Sequence, residues 1–255
     1  MSVQSLSRVF LAPPWQVPAR VNAKLRARAA AKRTKEVVAQ LRSDNTEDFE
    51  WIDGILKSFH DRGGYSWELQ DLKLFDLWRI LKTELPERIV EFGAGSSSSV
   101  FARYAKMSKA QYLSCDQNAN WSELACELAG VTEADENIEF RVCGVVEDRT
   151  PSPVEIKYDT ELPPPYDLVF IDGPMLRLDG EFHANSINTN IFDMAAEQLP
   201  RLILVDIRVK TVAAILDRLG DRYEFIESQT HDLHRQEIED DVRWFTVFRL
   251  KPEAQ

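Results

Sequence analysis

A chain of 255 residues with 44% apolar content can bury one sizeable core, either a single large α/β domain or a smaller one with an appendage. No apolar run approaches the roughly 18 residues a membrane span needs, and the net charge of −11 argues against a nucleic-acid partner, whose affinity comes mostly from phosphate contacts. The charge is unevenly divided: residues 1–45 hold nine Lys/Arg against two Asp/Glu, a net +7, whereas the remainder holds 22 against 40, a net −18.

Residues Ala19 to Arg42 are rich in Ala, Lys and Arg and follow a proline-containing stretch, so the sequence predicts a helix there. Val21, Leu25, Val38 and Leu41 give it only a thin apolar stripe. One reading is a solvated helix; the other is a basic helix docked on an anionic membrane surface or an acidic partner. Thr46 to His60 reads as a second helix with Phe49, Ile52, Ile55, Leu56 and Phe59 on one side, closed by Arg62-Gly-Gly-Tyr65. Ser66 opens a third, in which Leu74, Trp78, Leu81 and Leu85 repeat at helical spacing until Pro86 stops it. Residues 1–65 form a basic N-terminal helical extension in this division, and residues 66–255 the main domain.

From Arg88 onward, apolar runs alternate with amphipathic segments, the pattern of parallel strands joined by crossover helices. The strands are Arg88 to Phe92, Gln111 to Cys115, Ile138 to Cys143, Tyr166 to Ile171, Leu202 to Val205, Tyr223 to Ile226 and Trp244 to Leu250. Helices are predicted over Ser97 to Met107, Trp121 to Leu128, Asn188 to Leu199 and Val209 to Leu219. The fold class is α/β: a three-layer, Rossmann-like, seven-stranded and mostly parallel sheet. Glu227 to Asp241 is too short and charged for a crossover helix, so the last strand is expected to be antiparallel. Cys115, Cys126 and Cys143 lack metal-ligand spacing and read as small hydrophobes in a reducing compartment.

Open α/β sheets bind ligands beyond the carboxyl ends of their strands. Those ends carry Glu91, Gly93 and Gly95, then Asp116, then Asp172-Gly-Pro174, then Asp206-Ile-Arg208. In Arg88-Ile-Val-Glu-Phe-Gly-Ala-Gly-Ser-Ser-Ser-Ser99 the two glycines let a backbone approach a ligand, and the serines can cap the following helix. The third glycine of a dinucleotide fingerprint is missing and a carboxylate precedes the turn, which suits a ligand carrying hydroxyls, an amine or a sulfonium cation. Asp116 follows Glu91 by 25 positions, near the roughly 20-residue offset of a ribose-binding acid. As a turn residue it has a plain structural reading as well.

The phrases Val-Glu-Phe-Gly-Ala-Gly-Ser, Tyr-Leu-Ser-Cys-Asp, Tyr-Asp-Leu-Val-Phe-Ile-Asp-Gly-Pro and Leu-Ile-Leu-Val-Asp, in that order over residues 66 to 250, resemble class I S-adenosylmethionine (SAM)-dependent methyltransferases. The resemblance implies that Glu91, Gly93, Gly95 and Ser97 cradle the methionine and ribose portions of SAM, that Asp116 holds the ribose hydroxyls, and that Cys143 and Gly144 border the adenine. Asp172 is also placed beside the cofactor. The Phe-Ile-Asp-Gly-Pro phrase with the following Arg177 is similar to a bacterial-type subgroup acting on small molecules or glycans, and the amino-methylating Asn/Asp-Pro-Pro-Tyr phrase is absent after the fourth strand, so the resemblance implies an oxygen acceptor on such a substrate.

Catalytic candidates are Asp172 as proton acceptor and His183 in the following loop. Asp172 and Asp206 could instead share a divalent cation such as Mg, as in catechol-type relatives, although the amide that completes that set is replaced by Ile207. Arg177 and Arg208 are substrate-clamp candidates or, equally, salt-bridge partners of the acidic cluster. His231 and His234 read as surface residues. A cytoplasmic location, peripheral at a membrane if the basic helix docks there, completes the expectation. An NAD-dependent oxidoreductase and a non-catalytic methyltransferase-like scaffold stand as the alternatives.

Overall fold

The computed structural model of the chain describes residues 35–64, 70–162, 165–178, 181–183, 186–206, 208–226 and 245–252. Among the described residues, 35–46 fall in one unit and 47–226 with 245–252 in a second, compact one. Of the first, residues 35–44 are helical, and Gln40 donates to Asp44 at 2.8 Å one turn on. His231 and His234 lie outside the described residues.

Helix α1 (Thr46–Asp61) turns Phe49, Ile52, Ile55 and Phe59 inward, while Leu56 is only half-buried. Gly63 closes it at φ 83°, a left-handed conformation that suits a residue without Cβ, and its N–H reaches the His60 carbonyl at 3.0 Å. Phe49 stacks on Phe75 of α2 (Gln70–Glu84) with ring centroids 4.5 Å apart, and Trp51 tilts against Trp78 at 5.5 Å. Leu85 does not extend the apolar stripe of α2 as its spacing predicted. It precedes Pro86, which disfavours a further helical residue, and it stands 65% exposed at φ 49°.

The main sheet follows as β1 (Arg88–Phe92), α3 (Ser96–Ser108), β2 (Gln111–Asp116), α4 (Ala119–Leu128) and β3 (Ile138–Val142). After an excursion come β6 (Leu168–Ile171), β10 (Leu202–Asp206), α5 (Val209–Leu219), β11 (Tyr223–Ile226) and β12 (Phe245–Leu250). The seven strands lie in the order β11-β12-β10-β6-β1-β2-β3. β1 runs parallel to β2 and β6, and β12 runs antiparallel to both β10 and β11, so the sheet is mostly parallel with a reversed last strand, as the sequence implied. The central strands β6 and β10 are buried along their whole length, consistent with their unbroken apolar runs. No helix among the described residues is long and apolar enough to cross a membrane.

The excursion between β3 and β10 differs from expectation. β4 (Gly144–Asp148) and β5 (Glu155–Asp159) pair antiparallel, and β9 (Ile187–Asn188) joins β5 in a small side sheet. β7 (Leu176–Leu178) and β8 (Glu181–His183) form a separate ribbon. The helix expected over Asn188 to Leu199 is absent: β9 takes its first residue, and two 3-10 turns, Asn190–Asp193 and Ala196–Gln198, take much of the rest. Two buried amides account for this. Asn190 accepts from the Tyr158 N–H at 2.9 Å and donates to the Tyr158 carbonyl at 3.0 Å, while Asn188 donates to the Gly173 carbonyl at 2.7 Å. Side chains bonded to distant backbone in this way compete with helix formation.

Candidate active site

The strand order reverses direction between β1 and β6, so the loops after these two strands open a crevice at the carboxyl edge of the sheet. The loops touch backbone to backbone. The Phe92 carbonyl accepts the Asp172 N–H at 2.7 Å, and the Gly93 N–H donates to the Cys115 carbonyl at 2.8 Å, tying the loops of β1, β2 and β6 together. Gly93 is left-handed at φ 103°, and a Cβ built on it would lie 2.6 Å from the Gly173 nitrogen. Its glycine is therefore required by the protein's own packing. Gly95 is different: its backbone is extended, and a Cβ there meets nothing within 4 Å. Gly95 faces open space at the N-terminus of α3.

Glu91 is fully buried on β1 and accepts four hydroxyl hydrogen bonds: Ser97 at 2.5 Å, Ser98 at 2.6 Å, Tyr112 at 2.5 Å and Ser114 at 2.9 Å. Burial pushes its carboxyl up, against the pull of those four donors. With no exposed surface, Glu91 does not itself face a ligand as the motif implied. Instead it holds Ser97 and Ser98, and with them the first turn of α3, from below. Ser98 also accepts the Gly95 N–H at 3.0 Å.

Asp116, at the end of β2, accepts the Ala94 N–H at 2.9 Å and the Asn118 N–H at 2.7 Å, so one carboxylate fixes the glycine loop and the β2–α4 turn. Burial raises its pKa, opposed by these backbone donors. Trp121 of α4 donates its indole N–H to the Ala94 carbonyl at 2.5 Å and packs edge-on against Phe59. The Gln117 amide spans the crevice, donating to the Met175 carbonyl at 3.0 Å and accepting its N–H at 3.1 Å. Cys143 is buried with its N–H on the Asp116 carbonyl at 2.8 Å, and Gly144 is exposed beyond it. The three thiols are free.

Asp172 and Asp206 meet across β6 and β10. Asp206 is buried and receives the Lys73 ammonium from α2, Nζ to Oδ2 2.6 Å, with each side chain only 9% exposed. Burial pulls the ammonium down, but Asp206, Asp172 and Glu91 more than offset it, so Lys73 stays charged. Asp172, by contrast, retains 41% of its side-chain surface. Desolvation and then Asp206 push its carboxyl up to about 7, against Lys73 and Arg208. Arg208 is buried, with its guanidinium on the carbonyls of Asp172 and Pro174 and 3.9 Å from the Asp172 carboxylate. That position corresponds to the ion-pair reading of Arg208, with the group holding the loop after β6.

Arg177 and His183 lie on β7 and β8, whose register sets Arg177 opposite Phe182 and His183 opposite Leu176. The sequence reading missed Lys73, Gln117, Asn188 and Asn190. A lysine within a helix and three amides in or beside turns carry no local signal for such contacts. Tyr158 was missed too; its buried ring stacks on Phe92 at 5.8 Å, and a Cβ on Gly173 would collide with its hydroxyl.

The donor set does not fit a hard divalent cation, which wants about six oxygens. Among the described residues no three His, Cys, Asp or Glu side chains cluster suitably, and Asp206 already receives Lys73.

No family model and no curated protein matches the chain. Among solved structures, the chain is similar to the O-methyltransferase TomG from Streptomyces achromogenes in complex with SAM, at 17% identity over 78% of this chain and 89% of that one, TM-score 0.44. It is similar to an O-methyltransferase from Bacillus cereus in complex with SAH, at 14% identity over 78% and 90%, TM-score 0.46. A cofactor-bound protein from MTB matches at 19% identity over 84% and 95%, TM-score 0.48.

Proposed function

We propose that this chain is a SAM-dependent methyltransferase acting on an oxygen of a small molecule or glycan. The observation that carries the reading is the open space at Gly95, the residue that opens α3 and directly follows Ala94, whose N–H Asp116 accepts. Gly95 leaves room for the methionine portion, and Asp116 stands at the position from which a carboxylate accepts ribose hydroxyls. SAM supplies a methyl carbon made electrophilic by its sulfonium; its displacement leaves a neutral thioether, and the acceptor hydroxyl loses a proton as the new C–O bond forms. Asp172, the more exposed of the acidic pair, takes that proton. The acceptor itself binds among the loops after β6, to which Arg177 and His183 belong.

Glu91 also weighs against a dinucleotide. It engages the Ser97 and Ser98 hydroxyls of the first turn of α3, the turn against which a pyrophosphate would bind. In the same reading residues 66–255 carry the transferase chemistry. Residues 1–45, with their net +7, are the segment whose basic charge favours an anionic membrane surface or an acidic partner in the cytoplasm. The test is calorimetric titration of the full chain with S-adenosylhomocysteine (SAH) and, separately, NAD. Heat with SAH and none with NAD is the expected result; the reverse, or no heat with either, removes this reading.

A further inference from the structure

The acidic pair Asp172 and Asp206 invites a cation, and the fold brings one from an unexpected place. Lys73 lies on α2, 133 residues before Asp206 in the chain, yet its Nζ is 2.6 Å from Asp206 Oδ2. Its ammonium also lies 5.8 Å from the centroid of the Phe170 ring on β6, an attractive position for a cation over an aromatic face. Lys73 is 7% exposed, and Asp206 is 6% exposed. A lysine is almost never buried unless paired, and here the pairing is with the strand-end carboxylate that a metal would need. We propose that the Lys73 ammonium takes the place of a divalent cation at the Asp172–Asp206 pair, making this a site that works without metal.

The inference rests on the transferase reading for what the site does, but the charge arrangement stands on geometry alone. Lys73 compensates Asp206 permanently, which leaves Asp172 as the more exposed carboxylate. A point charge on a flexible stem provides no coordination sphere, so the acceptor hydroxyl is not acidified by ligation, and proton removal falls to Asp172. Lys73 is a positioning residue in this account: it acts through Asp206.

Mn2+ is the probe, titrated into the full chain and followed by the loss of its free electron-spin signal. Wild type is expected to bind none at millimolar concentration. Lys73→Met, which leaves the two carboxylates without their cation, is expected to take up Mn2+ at millimolar concentration where wild type takes up none. Lys73→Arg is expected to stay as wild type, and Lys73→Met with Asp206→Asn to lose the gain. Mn2+ binding by wild type that disappears in Asp206→Asn overturns the proposal, as does a folded Lys73→Met that takes up no Mn2+. The wild-type titration decides even if Lys73→Met fails to fold. A parallel SAH titration reports on the transferase reading separately: absence of SAH heat removes that reading, whereas Mn2+ binding by wild type with SAH heat intact removes only the role of Lys73.

Discussion

Gly93 and Gly173 cross so closely that a Cβ on the first would stand 2.6 Å from the backbone nitrogen of the second, while Gly95, two residues away, has nothing within 4 Å of the same point. The two glycines of one motif therefore do different work. Gly93 lets the β1 and β6 loops meet, and Gly95 leaves room for what lies beyond them. Gly93→Ala is expected to cost roughly 3 kcal/mol, because it meets both a left-handed φ and rigid backbone. That corresponds to a fall of about 10 °C in melting temperature. Gly95→Val should melt near wild type yet lose SAH heat. Scanning calorimetry and SAH titration of both variants separate the roles; equal melting losses would contradict the assignment.

Glu91 supplies the acceptor for four buried hydroxyls, so its replacement is a problem of unpaired donors more than of lost charge. Glu91→Ala strands all four, and Glu91→Gln keeps one oxygen while turning an NH2 toward hydroxyls. A buried polar group left without its partner costs about 1–3 kcal/mol, and partial repacking keeps the sum below simple addition. Urea unfolding is expected to place Glu91→Gln about 2–4 kcal/mol below wild type, with Glu91→Ala lower still. A variant within 0.5 kcal/mol of wild type, the range of ordinary surface substitutions, would mean that the hydroxyls find other partners.

Asp116→Ala removes the acceptor for the Ala94 and Asn118 N–H groups and, in the proposed function, for the ribose. Loss of hydrogen bonds to a charged group is worth about 1.5–3 kcal/mol, or roughly 10- to 100-fold in SAH affinity. Asp172→Asn, by comparison, should bind SAH within about threefold of wild type while abolishing turnover, since its proposed part is proton removal. If calorimetry finds SAH affinity unchanged in Asp116→Ala, the ribose assignment fails.

What could be read in the sequence follows a physical division. The central strands announced themselves because β6 and β10 are buried along their length and carry apolar runs, and β1 is apolar but for Arg88 and the buried Glu91. The strand-end acids were legible from topology, since Asp116, Asp172 and Asp206 each directly end or follow such a run. The side sheet was not: β4 is largely exposed, with a residue pattern no different from a loop. The helix expected over Asn188 to Leu199 gives way where two buried asparagines bond to the Gly173 and Tyr158 backbone. Lys73 was hidden for another reason. A lysine inside a helix reads as part of a solvated face, and only the folded chain brings Asp206 to it.

Asp172 also makes folding stability depend on pH, in the direction opposite to a salt-bridged carboxylate. An unfolded aspartate ionises near 3.9, whereas desolvation and the Asp206 charge hold the folded Asp172 up to about 7. The folded state therefore binds this proton more tightly than the unfolded one. The stabilisation is fully present below about pH 4 and is lost as pH rises through about 7. Because the side chain keeps 41% of its surface, solvent screens the effect and the loss is smaller than full burial would give. Asp172→Asn has no proton to release there. The melting temperature of wild type relative to Asp172→Asn is expected to fall steadily between about pH 4 and 7 and to level off above. Turnover moves the opposite way, rising through about pH 7 as the carboxylate form becomes available to take the acceptor's proton. Differential scanning calorimetry of the two proteins across pH 4 to 8 makes the comparison. A difference that stays flat, or that grows with pH, would place the Asp172 carboxyl in the ordinary range and remove it as a base poised near neutrality.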